Sequence, residues 1–451
     1  MDFLTEMWEC LGGPSDAPAA VTWTGPATTL PARLPVTGLA GATVAAASLA
    51  AAELTAVRGG ERPPVRVDSR AVAVAFAGER HLRIDGRALP AFAPLSRFWR
   101  AADGWVRTHG NYPHHRARLL SALGLDDGPA DPVTAVENVI AGASAERVEE
   151  AVCAAGGLAV AVRDRASWAR HPQGASVAGL PLLRLTRTDD APARPLGPVP
   201  DRPLRPMAGL RVLDLTRVLA GPVGTRTLAL LGADVLRVDP PHLGEIPSQH
   251  TETGSGKRST LLDLDDADDR ARFSALLDGA DVVVTGYRPG ALDRYGLSPA
   301  ALAEDHPGLV VASLSAWGTV GPWAGRRGFD SLVQAASGIA LVEGSPGALP
   351  VQALDHGTGY LLAAAVMRAL ALRATEGGGR HVELCLARTA AALLARPAEG
   401  GEAAAFDPAP YLGETGPVRH ALPAVDLAGG PRTWERPATP WGSDAPVWRD
   451  A

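Results

Sequence analysis

Two stretches of this 451-residue chain, LPVTGLAGATVAAASLAAAEL from Leu34 and LPVQALDHGTGYLLAAAVMRAL from Leu349, are one pattern written twice. Ala40 and Asp355 stand 315 positions apart, and Thr43 and Thr358 keep that spacing, so the copies align without gaps there. The likeness continues with PPVRVDSRAVAVAF from Pro63 and RHVELCLARTAAALL from Arg380, each a short alternating strand running into an apolar helix. A third pairing sets GLPLLRLT from Gly179 beside ALPAVDLA from Ala421. Between these pairs the halves differ: about 89–173 has no counterpart in the second half, and about 207–346 has none in the first. The chain therefore reads as two truncated copies of one module that together hold one full set of parts. Only the second copy carries a carboxylate where the first has Ala40.

The unmatched C-terminal piece alternates strand and helix. Strands are expected at 211–215, 234–239, 260–265, 281–285 and 309–316, with a helix over 266–277 between the third and fourth. Apolar strands alternating with amphipathic helices predict an α/β fold with an open parallel, doubly wound sheet. The unmatched N-terminal piece, with strands in DGWVRTHG and LAVAVRD around three helices, predicts a second, smaller α+β domain. The expected division is 1–88, a vestigial copy packed on the large domain; 89–186, the small domain; 187–206, a Pro-rich linker; 207–400, the large domain; and 401–451, a tail.

With 46% hydrophobic and 20% charged residues, the chain is long enough for two full cores. A net charge of −6 argues against a general nucleic-acid or anionic-membrane surface. The uncharged run from Leu34 to Ala52 is mostly Ala, Gly and Thr, and predicts a buried helix rather than a membrane span. Cys10, Cys153 and Cys385 lie far apart with no C-x-x-C spacing, which supports neither a disulfide framework nor a zinc site and points to a reducing cytoplasm. Asp2 and Glu6 stand where an export signal wants positive charge, so no export is expected.

Several nucleotide and hydrolase signatures fail. TGSGKRST at Thr253 lacks the first glycine of a Walker A loop, where Thr251 stands, and has Arg258 after Lys257 in place of Ser or Thr. The turn after RVLDL lacks G-x-G-x-x-G, and neither H-E-x-x-H nor G-x-S-x-G occurs.

GLRVLDLTRVLAGPVGTRTLALLGADVLRVDPP from Gly209 resembles the opening of the class III CoA-transferases, the formyl-CoA transferase and carnitine-CoA transferase (CaiB/BaiF) type. The resemblance runs on through GKRSTLLDLDD, GADVVVTGYRPGALDRYGL, HPGLVVASLSAWGTVGPWAGRRGFDSLVQAASG, DHGTGY and GGGRHVELCLARTAAALL, covering about 200 residues. The small-domain piece is similar to that family's smaller domain, in a rearranged order. The resemblance implies a Rossmann-like CoA-binding sheet, no permanently bound cofactor, and a coenzyme A thioester and a carboxylic acid as substrates. It also implies a homodimer, its chains interlocked in the family, acting without nucleic acid or membrane.

By the same resemblance Asp355 is the nucleophile; His356, next to it in sequence, is a candidate to orient a carboxylate or give a proton, with a packed or solvent-facing histidine as the alternative. The CoA contacts fall on Arg217, Val218, Leu219, Arg237, Tyr287, Arg294 and Arg327. Read from the residues alone, Asp355 has two open roles: a plain helix N-cap, or a reacting carboxylate kept ionised by the helix end. Two departures stand out. Thr285, Gly286 and Tyr287 replace the family's Glu-Asn-Phe, and Gly328, Phe329 and Asp330 replace the Gly-His-Asp of the branch that racemises 2-methylacyl-CoA. The expected function is CoA transfer through an aspartyl acyl intermediate. An acyl-CoA racemase, epimerase or isomerase and a non-catalytic CoA-ester-binding subunit are the alternatives.

Overall fold

The computed structural model describes residues 2–90, 92–128, 132–199, 202–398 and 401–449. Positions 200 and 201 of the expected linker, and the expected boundary at 400, lie outside the described residues.

In the first copy the Leu34 stretch forms helix α1 (Val36–Val57). Small apolar residues cover all of its sides, and a helix apolar all round belongs in an interior. It is long and apolar enough to cross a membrane, yet it lies buried in the protein, with Leu39, Ala40, Val44 and Ala47 inaccessible. The small domain follows. Strands Phe98–Arg100, Trp105–Thr108 and Ala159–Ala161 form an antiparallel sheet. Helix α2 (Pro113–Ala122), which starts on a proline that needs no N–H partner there, packs Leu119 and Leu120 into a separate core with Val106, Ile140 and Val152.

The large sheet has seven strands: β1 (Leu183–Arg187), β2 (Arg211–Leu215), β3 (Asp234–Asp239), β4 (Arg258–Leu261), β5 (Val282–Thr285), β6 (Val310–Ser315) and β7 (Arg380–Cys385). Their spatial order is β4-β3-β2-β5-β6-β7-β1, parallel throughout except for β1, which runs antiparallel to β7. The expected open parallel sheet is thus closed at one edge by an antiparallel strand from the end of the segment assigned to the small domain. The strand expected at 260–265 begins two residues earlier and ends four residues earlier, at Leu261. Asp263 accepts from the Asp265 amide at 3.0 Å, and Asp266 accepts from the amides of Asp268 and Asp269 at 3.0 Å, so the carboxylates turn the chain out of the sheet.

Alternate side chains enter different cores. Val282 and Val284 of β5 face the core that holds Val223 and Leu228 of α3 (Ala220–Leu230). Val283 faces Phe273, Leu276 and Leu277 of α4 (Ala267–Asp278) on the other side. Covering both faces is what makes these strands continuous apolar runs. The chain order reverses between β2 and β5, which opens a crevice beyond their carboxyl ends.

Two further helices bear on the site, α5 (Asp330–Ser337) and α6 (Ala353–Glu376), the repeat of α1. The copies are related by an internal two-fold. Arg368 on α6 donates to Glu53 on α1 at 3.2 Å, and these positions are 315 apart, the repeat spacing itself. A residue that touches its own equivalent marks a two-fold axis. The strands obey the same relation. β7 of the second copy pairs with β1 from the first. Conversely Val65 of the first copy bridges Leu427 of the second, with Arg66 N to Asp426 O at 3.1 Å and Ala428 N to Pro64 O at 2.9 Å.

Candidate active site

A cavity of about 490 Å³ occupies the crevice, walled on one side by the first turn of α2 and on the other by the turns after β2, β5 and β6. The small domain supplies Tyr112, His114, His115 and Arg118, and Asp355 lines the cavity from the first turn of α6.

Asp355 does not cap its helix. The N-cap position is Gln352, whose side chain makes no capping bond. The buried first-turn amides of Leu354 and Asp355 instead donate to Asp330 Oδ2, each at 2.9 Å. Asp330, wholly buried, also accepts from Gln334 Nε2, while Gln334 Oε1 accepts from the Leu349 amide at 2.9 Å. The cap reading of Asp355 is therefore replaced: a residue 25 positions earlier does that work and leaves the Asp355 carboxylate free of backbone donors.

The expectation that the helix end keeps Asp355 ionised also changes. Burial, followed by the charges of Asp330 and Glu79, holds the carboxyl well above the ordinary aspartate value. A helix terminus contributes about 0.3–1 kcal/mol, less than one pKa unit, and loses to burial beside like charges. Asp330 is itself pushed up to about 6 by burial, against the opposing pull of its amide donors and Gln334. In the unliganded protein the two carboxyls share fewer than two negative charges at mildly acid pH.

His356 turns away from the cavity. It is inaccessible, stacks on Phe76 of the first copy at 5.1 Å between ring centroids, and has Nε2 3.5 Å from the Glu79 carboxylate. A side chain one residue along a helix points about 100° away, so adjacency to Asp355 brought it to the interface between copies and not to the site.

The candidate CoA contacts divide. Arg217, Val218, Leu219, Tyr287 and Arg327 line the cavity. Arg217 directs its fork at the Leu243 and Gly244 carbonyls at 2.9 and 2.6 Å and lies over the Tyr112 ring. Val218 holds φ at +71°, costly for a β-branched residue, as the turn from β2 tightens into α3. The Tyr287 hydroxyl is pushed up to about 12 by burial and the nearby Asp239. Arg237 and Arg294 stand outside the cavity. Arg237 is almost inaccessible and ion-paired to Asp239 and Glu245, both at 2.7 Å, so its charge is already matched. Arg294 sits at the surface, paired to Asp265 at 3.0 Å.

Cations that the sequence reading passed over do reach the cavity. Arg118 and Arg288 line it with Arg327, and none of the three has a carboxylate partner among the described residues. Burial, with Arg288 and Arg118 nearby, holds the Arg327 guanidinium below its ordinary value. Three guanidinium groups without counter-ions around one cavity make a site for an anion.

Residues 207–425 match the family described as CoA-transferase family III. Among similar curated proteins is the acetyl-CoA:oxalate CoA-transferase of Acetobacter aceti, 34% identical over 215 residues that cover 44% of this chain and 53% of that protein. The succinate–glutarate CoA-transferase of Agrobacterium fabrum is 33% identical over 212 residues, 42% of this chain and 53% of that protein. The crystal structure of Rv3272 from Mycobacterium tuberculosis is 36% identical, with a TM-score of 0.40, over 43% of this chain and 56% of that one. The chain thus spans about half the length of the relatives it matches.

Proposed function

We propose that this protein is a CoA-transferase that moves CoA from an acyl-CoA thioester to a carboxylic acid through an aspartyl intermediate on Asp355. The observation that carries the reading is the division of labour between two aspartates: Asp330 satisfies the helix amides, and Asp355 is left uncommitted in a cavity with three unpaired arginines. The named activities of the relatives, CoA transfer between carboxylic acids, support the same class. The Rossmann-like use of the sheet fits too: the turn after β2 and the start of α3 offer helix N-terminal amides to a phosphate-bearing ligand at the reversal of strand order.

The chemistry is double displacement. An Asp355 oxygen attacks the thioester carbonyl carbon, the C–S bond breaks, and CoA leaves as thiolate from a mixed anhydride. The thiolate attacks the Asp355 carbonyl carbon, expelling the donor acid as carboxylate and leaving an enzyme-bound CoA thioester. The acceptor carboxylate attacks that thioester to form a second mixed anhydride and release thiolate. Attack of the thiolate on the acceptor's acyl carbon then yields the new acyl-CoA and free Asp355. The arginines around the cavity favour anionic ligands and help Asp355 lose its proton once a substrate displaces water. Racemisation has less support, because Phe329 stands where that branch carries its histidine and a hydrocarbon ring moves no proton.

Mixing the protein with acetyl-, succinyl- or palmitoyl-CoA and a panel of carboxylic acids tests the reading by chromatography of the CoA esters. New acyl-CoA formed by the parent and not by Asp355→Asn is expected. Equal transfer by both proteins would overturn it.

A further inference from the structure

Tyr112 is the N-cap residue of α2 and lines the cavity from the small domain. Its buried hydroxyl donates to Glu245 Oε1, on the segment of the large domain that follows β3. Glu245 is outside the cavity lining, and its side chain is 1% exposed. Its second oxygen, Oε2, meets the turn between β2 and α3, 3.5 Å from Arg217 Nε and 3.4 Å from the Val218 amide. Arg237 donates to that oxygen at 2.7 Å, and the Ile246 amide donates to Oε1 at 2.9 Å. The Arg217 guanidinium in turn lies 5.3 Å from the centre of the Tyr112 ring. One buried carboxylate therefore joins the two walls of the cavity, the start of α2 and the turn after β2.

The charges around this contact balance. Two carboxylates, Glu245 and Asp239, face two guanidinium groups, Arg217 and Arg237. Burial alone would raise the Glu245 carboxyl, but Arg237 and Arg217 hold it down to about 2, so it is ionised at neutral pH. Burial and the Glu245 charge hold the Tyr112 hydroxyl well above its ordinary value, so it keeps its hydrogen. The bond between the domains thus runs from a neutral donor to a charged acceptor, which makes it roughly twice as strong as a neutral pair. The turn it holds is a demanding one: Val218 keeps φ at +71°, which a β-branched residue does only where its surroundings impose it.

Resting on the CoA-transfer reading, we propose that Glu245 is a positioning residue that sets the two walls of the cavity against each other before a CoA ester arrives, with Tyr112 as its hold on the small domain. The walls belong to different domains, and a ligand that fills the cavity touches both. With the Tyr112–Glu245 bond in place, the free protein already has its binding arrangement. Without it that arrangement is one of several, and apparent affinity falls with the fraction of molecules that hold it. Once the ester is bound the walls stand together again, and the chemistry at Asp355 goes forward. Glu245 therefore acts on binding rather than on bond making.

The test compares Tyr112→Phe, Glu245→Gln and the double variant with the parent. Calorimetry gives the affinity for free CoA, and melting temperature reports folding. Single-turnover acylation of Asp355, followed by mass spectrometry, uses a saturating amount of whichever of acetyl-, succinyl- and palmitoyl-CoA reacts fastest with the parent. Y112F, which loses only the hydroxyl, should weaken CoA binding about tenfold, the size of one hydrogen bond to a charged group. E245Q should weaken it at least as much, and the double variant should stay within about twofold of E245Q, because both changes break the same contact. In each variant the saturated acylation rate should fall by a smaller factor than the affinity. A loss of affinity below about threefold in Y112F would overturn the role, whatever the melting temperature does. So would losses that multiply in the double variant, or a loss confined to the saturated rate. If E245Q does not fold, Y112F decides alone by its affinity and its saturated rate. If the parent neither binds CoA nor forms an adduct with any of the three esters, the CoA-transfer reading falls and this role with it; a parent that does both beside an unaffected Y112F strikes Glu245 only.

Discussion

Asp330→Asn isolates the charge relation at the base of α6. The asparagine side chain keeps an oxygen for the Leu354 and Asp355 amides, but its own amide meets Gln334 Nε2, whose partner oxygen is already taken by the Leu349 amide. That conflict costs about 1–3 kcal/mol at every pH. The pH-dependent part is separable. Burial pushes the Asp330 carboxyl from 3.8 up to about 6, so between those values the folded protein binds more protons than the unfolded chain. Stability from this group is present below the unfolded value and lost as pH rises through the folded one. Between pH 4.5 and 8 the two values give a loss of about 2 kcal/mol, which the D330N protein, uncharged at this position, does not suffer. Losing its charged neighbour also lowers the Asp355 value, which acts in the same direction. Urea unfolding followed by tryptophan fluorescence at both pH values measures the double difference. The D330N protein should gain about 2 kcal/mol or more on the parent from pH 4.5 to 8, and Asp355 acylation should persist to lower pH. A stability difference that does not change with pH refutes the assignment.

Arg368→Ala breaks the pair on the internal two-fold and two further bonds to the Leu11 and Gly12 carbonyls, and should cost about 3 kcal/mol of stability in the same unfolding assay. Arg294→Ala should leave both melting temperature and CoA affinity unchanged, whereas Arg327→Ala should weaken CoA binding tenfold or more by calorimetry, because only Arg327 faces the cavity. The two copies already pair within one chain, so the catalytically active form should have the mass of a single chain by light scattering, in place of the homodimer expected from the sequence.

Much of the large sheet was legible because its strands are apolar on both faces and its turns carry Gly, Pro and Asp. Asp355 was legible for another reason: the repeat exposed it as the carboxylate that one copy lacks. Its partner was not. Asp330 caps a helix that begins 23 positions later, and a tertiary cap leaves no local pattern. His115 and Arg118 escaped notice because nothing in their own segment says which wall of the molecule the first turn of α2 will approach. Arg237 could have been discounted, since Arg237 and Asp239 stand two apart on one strand and must share a face. Its tight pairing follows from that spacing. His356 was misplaced by treating adjacency in sequence as adjacency in space, which a helix forbids. The antiparallel β1 was invisible because the copies exchange strands, and an exchange shows only when both halves are folded together.

Peptide mass spectrometry of the protein quenched after mixing with acyl-CoA bears most directly on the nucleophile. The peptide containing Asp355 should carry an acyl or CoA adduct that hydroxylamine removes, and Asp355→Asn should carry none. An unmodified Asp355 peptide during turnover, or the same adduct on another residue, would contradict the account.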